Sequence, residues 1–488
     1  MLIRSSLTQW LSPLTLTAAL CGLSVVLPEA AADKTASLLD SIDQRQQQNA
    51  DIAKTLWDYA EISFQEERSS ERLQQELKAE GFDIEAGVAD MPTAFIASYG
   101  KGGPVIAILA EFDALPGISQ AATPTRQVLE HKHAGHACGH NLFAAGSLGA
   151  AIAVKEWLDK SGTKGTIRVY GTPAEEGGGA KAYFVNSGLF EDVDIALHWH
   201  PADSNDASNP SSMAIIAAKF AFSGYSAHAA NTPHHGRSAL DGVEAFNYMI
   251  NLMREHVPSD TRMHYVISDG GKAPNVVPDK AEVYYFFRHP DSRTLLKVWE
   301  RAQEAAKGAA MGTGTEVEVK VDGGVYNVMR NDTLAQVVDK HLRDVGGVTY
   351  NNAEKSFANT IRKSFHNQTA TIESAAEIAP LDLNIKPRAG STDVGDVSWV
   401  VPTVGLYTAT WVPGTTPHSW QSTAASGHSI GFKGAQVAAK VMALTAKELF
   451  EKPALRKAAK AELDRRRGKD FKYKPLVGDG IAPTAKRD

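Results

Sequence analysis

Apolar positions recur along this chain with two different periods, and the switches between them divide it into elements. Over residues 35–78 a charged stretch carries Ile52, Leu56 and Tyr59 at helical spacing. Residues 94–99 and 105–110 read as strands joined by Gly102-Gly103-Pro104. The second is apolar without a break, the pattern of a strand buried on both faces. It runs into Glu111-Phe112-Asp113-Ala114-Leu115-Pro116-Gly117. Residues 142–159, rich in alanine and apolar on most sides, predict a buried helix. A strand over 166–170 leads into Pro173-Ala174-Glu175-Glu176-Gly177, and one over 194–197 leads into His198-Trp199-His200-Pro201. This alternation predicts an α/β fold, a mainly parallel sheet with helices on both faces. In such sheets ligands bind beyond the carboxyl ends of the strands, where these ionisable groups fall.

Residues 203–212 are polar and read as a linker. Strands over 213–222, 264–268, 281–287 and 317–321, with helices over 240–256 and 295–311, predict an inserted α+β domain spanning 213–331. A strand over 404–408 and a long helix over 428–449 return to the first unit. The main domain is therefore expected from 33–212 together with 332–450, with a tail over 451–488.

At 488 residues the chain exceeds one ordinary core, and 43% hydrophobic against 22% charged residues excludes a disordered chain. The net charge of −6 gives no reason to expect a nucleic-acid partner, so Arg465-Arg466-Arg467 reads as a solvated face. Near the start, Arg4 precedes an apolar run over 11–27, and Ala30-Ala31-Ala32 offers small residues for cleavage. Residues 1–32 thus read as a secretory signal peptide, and the expectation is a periplasmic or secreted protein with no membrane attachment after cleavage. Of two cysteines, Cys21 would leave with the signal. Cys138 would remain as the single thiol, and its neighbours His136 and His140 point to metal binding.

Cys138 and His140 stand two residues apart, a spacing that would send them to different faces of a helix. Both are therefore expected in a turn ahead of the helix, with Asn141 as its N-cap. Glu176, His200 and His418 are further candidate ligands. Adjacent Glu175 and Glu176 face opposite ways in extended backbone, so one can bind metal while the other acts as a base. His198 and His200 also alternate, and spacing alone does not choose between them. In the insert, His228 could reach over the cleft and stabilise an oxyanion. Asn275 and Arg288 are polar groups in or beside apolar strands, and Arg288 could pair with a substrate carboxylate.

The motifs His136-Ala-Cys-Gly-His-Asn141, Pro173-Ala-Glu-Glu176, Ala227-His-Ala-Ala230, Pro274-Asn-Val276 and Pro417-His-Ser-Trp420 occur in that order. With them the chain resembles the M20 metallopeptidase and amidohydrolase family, in its aminoacylase-like branch. Glu111-Phe-Asp-Ala-Leu-Pro116, Trp199-His-Pro201, Gly390-Ser-Thr-Asp-Val-Gly-Asp396 and Tyr473-Lys-Pro475 narrow the resemblance to one subgroup. The likeness covers nearly all of the chain after the signal. It implies a catalytic domain that binds two divalent ions, zinc or manganese, and an inserted lid through which two copies form a homodimer. Carried over by motif, Cys138, His140, Glu176, His200 and His418 are the metal ligands and Glu175 is the general base. His200 is preferred to His198 because related motifs place the ligand directly before the proline. His228 would assist across the dimer interface, and Asn275 with Arg288 would hold the substrate carboxylate. Glu111 stands where many members have histidine, and Asn141 where the commoner motif has aspartate; both fit the subgroup.

The activity implied is metal-dependent hydrolysis of the amide between an acyl or aroyl group and an amino acid, a small-molecule substrate. The other readings are a dipeptidase or carboxypeptidase with the same ions, and a catalytically silent subunit. A heteromeric partner subunit is compatible with each.

Overall fold

The computed structural model describes residues 29–366, 369–478 and 482. The chain runs α1 (Glu29–Gln44), α2 (Gln46–Tyr59), α3 (Glu67–Ala79), β1 (Asp83–Ala86), β2 (Phe95–Lys101), β3 (Val105–Glu111), β4 (Leu115–Pro116), β5 (Ala134–Gly135), α4 (His140–Ser161), β6 (Gly165–Thr172), α5 (Ala180–Asn186) and β7 (Ile195–Ala202). Next come β8 (Ala214–Ser223), α6 (Ala239–Met253), β9 (Arg262–Asp269), β10 (Lys280–His289), α7 (Ser292–Thr313) and β11 (Glu316–Val325). The remainder is α8 (Asp332–Val345), α9 (Asn352–Ile361), α10 (Val394–Val400), β12 (Thr403–Ala409), α11 (Trp420–Ser426), α12 (Ser429–Glu451) and α13 (Pro453–Arg467).

The larger sheet has the order β1-β2-β6-β3-β7-β12. Strands β6, β3, β7 and β12 pair in parallel, and β2 and β1 extend the sheet antiparallel at one edge. Every residue of β3 is buried, which accounts for its unbroken apolar run. Helix α4 is apolar nearly all round because it lies between the sheet and α1, α2 and α12. The smaller sheet, β11-β8-β10-β9, is antiparallel, with α6 and α7 packed against it. Its own core holds Phe220, Phe222, Phe246, Tyr285 and Phe287.

Several sequence expectations shift. Helix α4 begins at His140, so only Cys138 precedes it; the N-cap is Gly139, in left-handed backbone (φ 81°). Asn141 is not the cap. Its Nδ2 donates to the carbonyls of Ala53 and Ser426, at 2.9 Å each, and ties the helix start to two distant segments. His198 and His200 lie within β7 rather than after it. The described part of the tail packs on the protein: Phe471 and Tyr473 lie on Tyr326, and Phe471 also on Trp399. Of the arginine triplet, Arg466 pairs with Asp332 and Glu462, and Arg467 donates to the Trp399 carbonyl. The proposed signal falls largely on residues 1–28, outside the described residues, and its alanine triplet lies in α1.

Gly139 and Gly162 cap opposite ends of α4, and both have positive φ. A Cβ at Gly139 would meet the Pro201 ring at 2.8 Å, whereas one at Gly162 meets nothing within 4 Å. Alanine at either position costs about 1–2 kcal/mol for the left-handed backbone, and at Gly139 overpacking adds about 1–3 kcal/mol. Thermal unfolding should therefore show a larger fall in Tm for Gly139→Ala than for Gly162→Ala. Equal losses would refute the contact argument.

Candidate active site

Three neighbouring parallel strands deliver acids and imidazoles to one end of the larger sheet. β3 ends at Glu111, with Asp113 two residues on; β6 runs out to Glu175 and Glu176; β7 carries His200. Two loops close over this edge, one with Cys138 before α4 and one with His418 before α11. The loops are tied together, because His418 N donates to the Ala137 carbonyl at 3.1 Å and Ser422 Oγ donates to the same carbonyl at 2.7 Å. Ala174 (φ 53°) and His418 (φ 56°) hold left-handed backbone without being glycine, strain of the kind that persists where surrounding contacts fix it.

Cys138, His140 and His200 offer ligand atoms within 4.8 Å of one another, and so do Cys138, Glu176 and His418. The thiol belongs to both groups. A third group, Glu111, His140 and Glu175, adjoins them. Cys138 Sγ lies 3.4 Å from His200 Nε2, and His418 Nε2 lies 3.5 Å from Glu176 Oε1.

The orientation of the rings suits metal binding. His140 Nδ1 is 2.9 Å from Asp113 Oδ1, and His200 Nδ1 is 2.8 Å from the Pro201 carbonyl. Donation from each Nδ1–H leaves Nε2 with a free lone pair facing the cluster. Asp113 is itself held by Glu176 N (2.9 Å) and Ser63 Oγ (3.0 Å). His140 Nε2 faces Glu111 Oε2 at 3.1 Å, and neither of these buried atoms nor the buried Glu176 Oε1 has a well-aligned hydrogen bond. Soft thiolate, imidazole and carboxylate aimed at shared points, with buried lone pairs unused, fit divalent transition ions.

The electrostatics reflect crowding. Burial, with Glu111 and Glu176 beside it, pushes the Glu175 carboxyl well above the usual range. Burial, with Glu176 nearby, likewise raises the Cys138 thiol. At His140, burial disfavours the proton, but Cys138, Glu111 and Asp113 outweigh it and hold the imidazole well above its ordinary value. Burial and the His140 charge lower His200 to about 4. Cations entering such a cluster displace protons from it.

One buried cation is already present. Lys181 Nζ lies 2.8 Å from Glu111 Oε1 and 2.6 Å from Asp393 Oδ1, with all three side chains at 1% exposure or less. Asp393 Oδ2 also accepts from Lys181 N at 3.0 Å. Sequence reasoning missed Lys181 and left Asp113 without a role. The available signal was Glu111 itself, a carboxylate in an apolar strand that needs a counter-charge. It also missed Arg388 and Tyr407, which line the cavity over the cluster. That cavity measures about 580 Å³, and Glu175, His200, Thr392 and Trp411 also line it.

The other predicted residues lie outside the ligand groups, although His198 also lines the cavity. His136 is buried against the Leu56 carbonyl (3.0 Å), outside the ligand groups. His198 packs on β12 where Gly405 lacks a side chain; a Cβ there would sit 2.3 Å from the ring. His228 is exposed in the smaller domain, its Nδ1 accepting from the N–H groups of Ala230 and Asn231. Asn275 is beside it, its carbonyl accepting from Ala229 N. Arg288, on β10, is half-buried with its guanidinium 5.6 Å from the Phe286 ring centre. None of these three lines this chain's cavity.

Comparison with known proteins agrees with this geometry. The model of peptidase family M20/M25/M40 matches residues 107–443. One of the subunits of the p-aminobenzoyl-glutamate hydrolase of Escherichia coli K12 is 40% identical over 438 residues, 84% of this chain and 91% of that protein. The Xaa-Arg dipeptidase of Mus musculus is 28% identical over 438 residues, 87% of this chain and 90% of that one. A Bacillus subtilis structure, described as a dinuclear metal-binding peptidase of the M20 family, superposes with a TM-score of 0.58 at 19% identity, covering 84% of this chain and 99% of that one. The chain therefore belongs to peptidase family M20, as a metallo-amidohydrolase.

Proposed function

We propose that the protein hydrolyses the amide bond of N-acyl or N-aroyl amino acids, with p-aminobenzoyl-glutamate as the model substrate. Two divalent ions, zinc or manganese, would be held by Cys138, His140 and His200 on one side and by Cys138, Glu176 and His418 on the other. The observation that carries this reading is the single thiol common to two ligand groups, with the Glu175 carboxylate on the wall of the same cavity. The relative from E. coli supports the substrate class. Bound there, the ions would polarise the substrate carbonyl and make water a stronger acid. Glu175 would take a proton from the attacking water as the C–O bond forms. It would return that proton to the amide nitrogen as the C–N bond breaks, releasing acid and amine. Asp113 would hold the His140 ring in one orientation throughout. A second reading, dipeptide hydrolysis by the same groups, is favoured by the mouse relative.

The test is a parallel assay of metal-loaded protein on p-aminobenzoyl-glutamate, an N-acetyl amino acid and a dipeptide. Release of p-aminobenzoate is expected; cleavage of the dipeptide alone would favour the second reading. Glu175→Ala should keep both ions and lose about 100-fold or more in kcat. Cys138→Ala should lose bound metal, because its thiol serves both groups. Near-normal turnover in the first variant, or unchanged metal content in the second, would remove the assignment.

The proposal extends to assembly. β9 is an edge strand of the smaller sheet, with Tyr265, Val266 and Ile267 exposed, and Tyr248 and Leu252 of α6 are exposed as well. An unpaired apolar edge of this kind supports a homodimer through the insert, in which a second copy supplies His228, Asn275 and Arg288. The E. coli relative is named as a subunit, which supports an unlike partner as the alternative. Light scattering should find a dimer, and Val266→Lys should give monomers with reduced turnover; a monomeric parent protein contradicts the reading.

The amino-terminal pattern supports export to the periplasm or medium. Fractionation of cells expressing the full chain should recover a shortened protein outside the cytoplasm. Full-length protein confined to the cytoplasm would refute export.

A further inference from the structure

The cavity also carries a cation that the proposed chemistry leaves unused. Among the described residues that line the cavity, Arg388 is the one lysine or arginine. Its backbone is fixed: Arg388 N donates to the Ser211 carbonyl at 2.8 Å, and two residues on the Gly390 carbonyl accepts from Met213 N at 2.9 Å. Its residue is exposed and its guanidinium lies over an aromatic ring, the guanidinium carbon 3.7 Å from the centre of Tyr407. No carboxylate among the described residues forms an ion pair with it. Asp203, the nearby acid on the same wall, is engaged instead by Gly414 N at 3.0 Å.

Tyr407 stands in register beside His200, in the paired strands β12 and β7, with ring centres 6.1 Å apart. The guanidinium and His200 thus neighbour the same tyrosine ring. A substrate's scissile amide must reach the ligand atoms, and its α-carboxylate, one carbon from the amide nitrogen, must lie close to them. In the dimer proposed above, Asn275 and Arg288 hold that α-carboxylate, which leaves Arg388 for a further group of the substrate. A planar guanidinium held on a ring and in no ion pair with a carboxylate of the described residues is suited to bidentate pairing with a substrate carboxylate.

We infer that Arg388 is a specificity-determining residue that binds a second carboxylate of the substrate, the acidic side chain of the amino-acid moiety, and so selects N-acyl derivatives of acidic amino acids. This rests on the amidohydrolase reading above and names which members of that substrate class are favoured. A charge-assisted pair of this kind corresponds to about a 10–100-fold preference in kcat/KM.

The test compares metal-loaded wild type with Arg388→Met, Arg388→Lys and Arg388→Glu on p-aminobenzoyl-glutamate, p-aminobenzoyl-glutamine and p-aminobenzoyl-lysine. Wild type should prefer the glutamate compound over the glutamine compound. In Arg388→Met that preference should collapse about 10–100-fold, through KM rather than kcat. Arg388→Lys should recover part of it, and Arg388→Glu should shift preference toward the lysine compound. Equal losses on glutamate and glutamine compounds would mean that Arg388 holds the α-carboxylate or merely shapes the wall, and would overturn the inference while amide hydrolysis stands. A loaded wild type inactive on all three would overturn the amidohydrolase reading and this inference with it.

Discussion

Compensation of buried negative charge governs this molecule. Glu111, Asp113, Glu175, Glu176 and Asp393 crowd one corner together with the Cys138 thiol, and most of them are out of water. Six potential anions in such a space cannot all ionise without cations, because desolvated like charges are prohibitively costly. Lys181 supplies one positive charge and fixes Glu111 and Asp393 about it. Two divalent ions, as proposed, would bring the positive charge to five. The group left over is then a single acid: Glu111 and Asp393 are tied to Lys181, Asp113 to His140 and Glu176 to a thiol-sharing group, which leaves Glu175 for the proton-carrying role proposed for it.

The fold explains how so many charges can be brought together. Parallel strands β6, β3 and β7 are neighbours, so their carboxyl ends place residues 175–176, 111–113 and 200 side by side without long-range adjustment. The thiol and His418 come from loops with no strand to position them. Their placement depends on hydrogen bonds to one carbonyl, that of Ala137, and on left-handed backbone at Gly139 and His418. Rigid strands thus carry the acids, while the two loops that complete the ligand set are braced against each other.

Much of this was legible in the chain. The apolar pattern located every strand of the smaller sheet and all but β1 of the larger, and the motifs grouped Cys138, His140, Glu175, Glu176, His200 and His418, which the fold brings to one cavity edge. Local reasoning failed where distant partners decide. Asn141 looked like a cap because its type favours caps, yet its amide bridges Ala53 and Ser426, which the sequence places far away. A lysine two residues after a glycine run gives no sign of being fully buried, since only its tertiary carboxylates make that tolerable. Arg388 sits in irregular backbone, where no period marks which side chains face a cavity. His228, Asn275 and Arg288 were read as site residues from residue type and motif, and the geometry of one chain leaves them outside its own cavity.

The separation of buried and exposed charge divides the site into two functions. At its floor, anions withdrawn from water are suited to gripping small, multiply charged cations, which repay desolvation with strong direct bonds. On its wall, an exposed guanidinium stacked on Tyr407 keeps its hydration until a partner arrives, so it discriminates among substrates at little cost to folding. The two layers meet at His200, whose Nε2 lies 3.4 Å from Cys138 Sγ and whose ring centre lies 6.1 Å from that of Tyr407. Changes in the wall can therefore retune which acyl amino acid enters while the floor that performs the chemistry keeps its form.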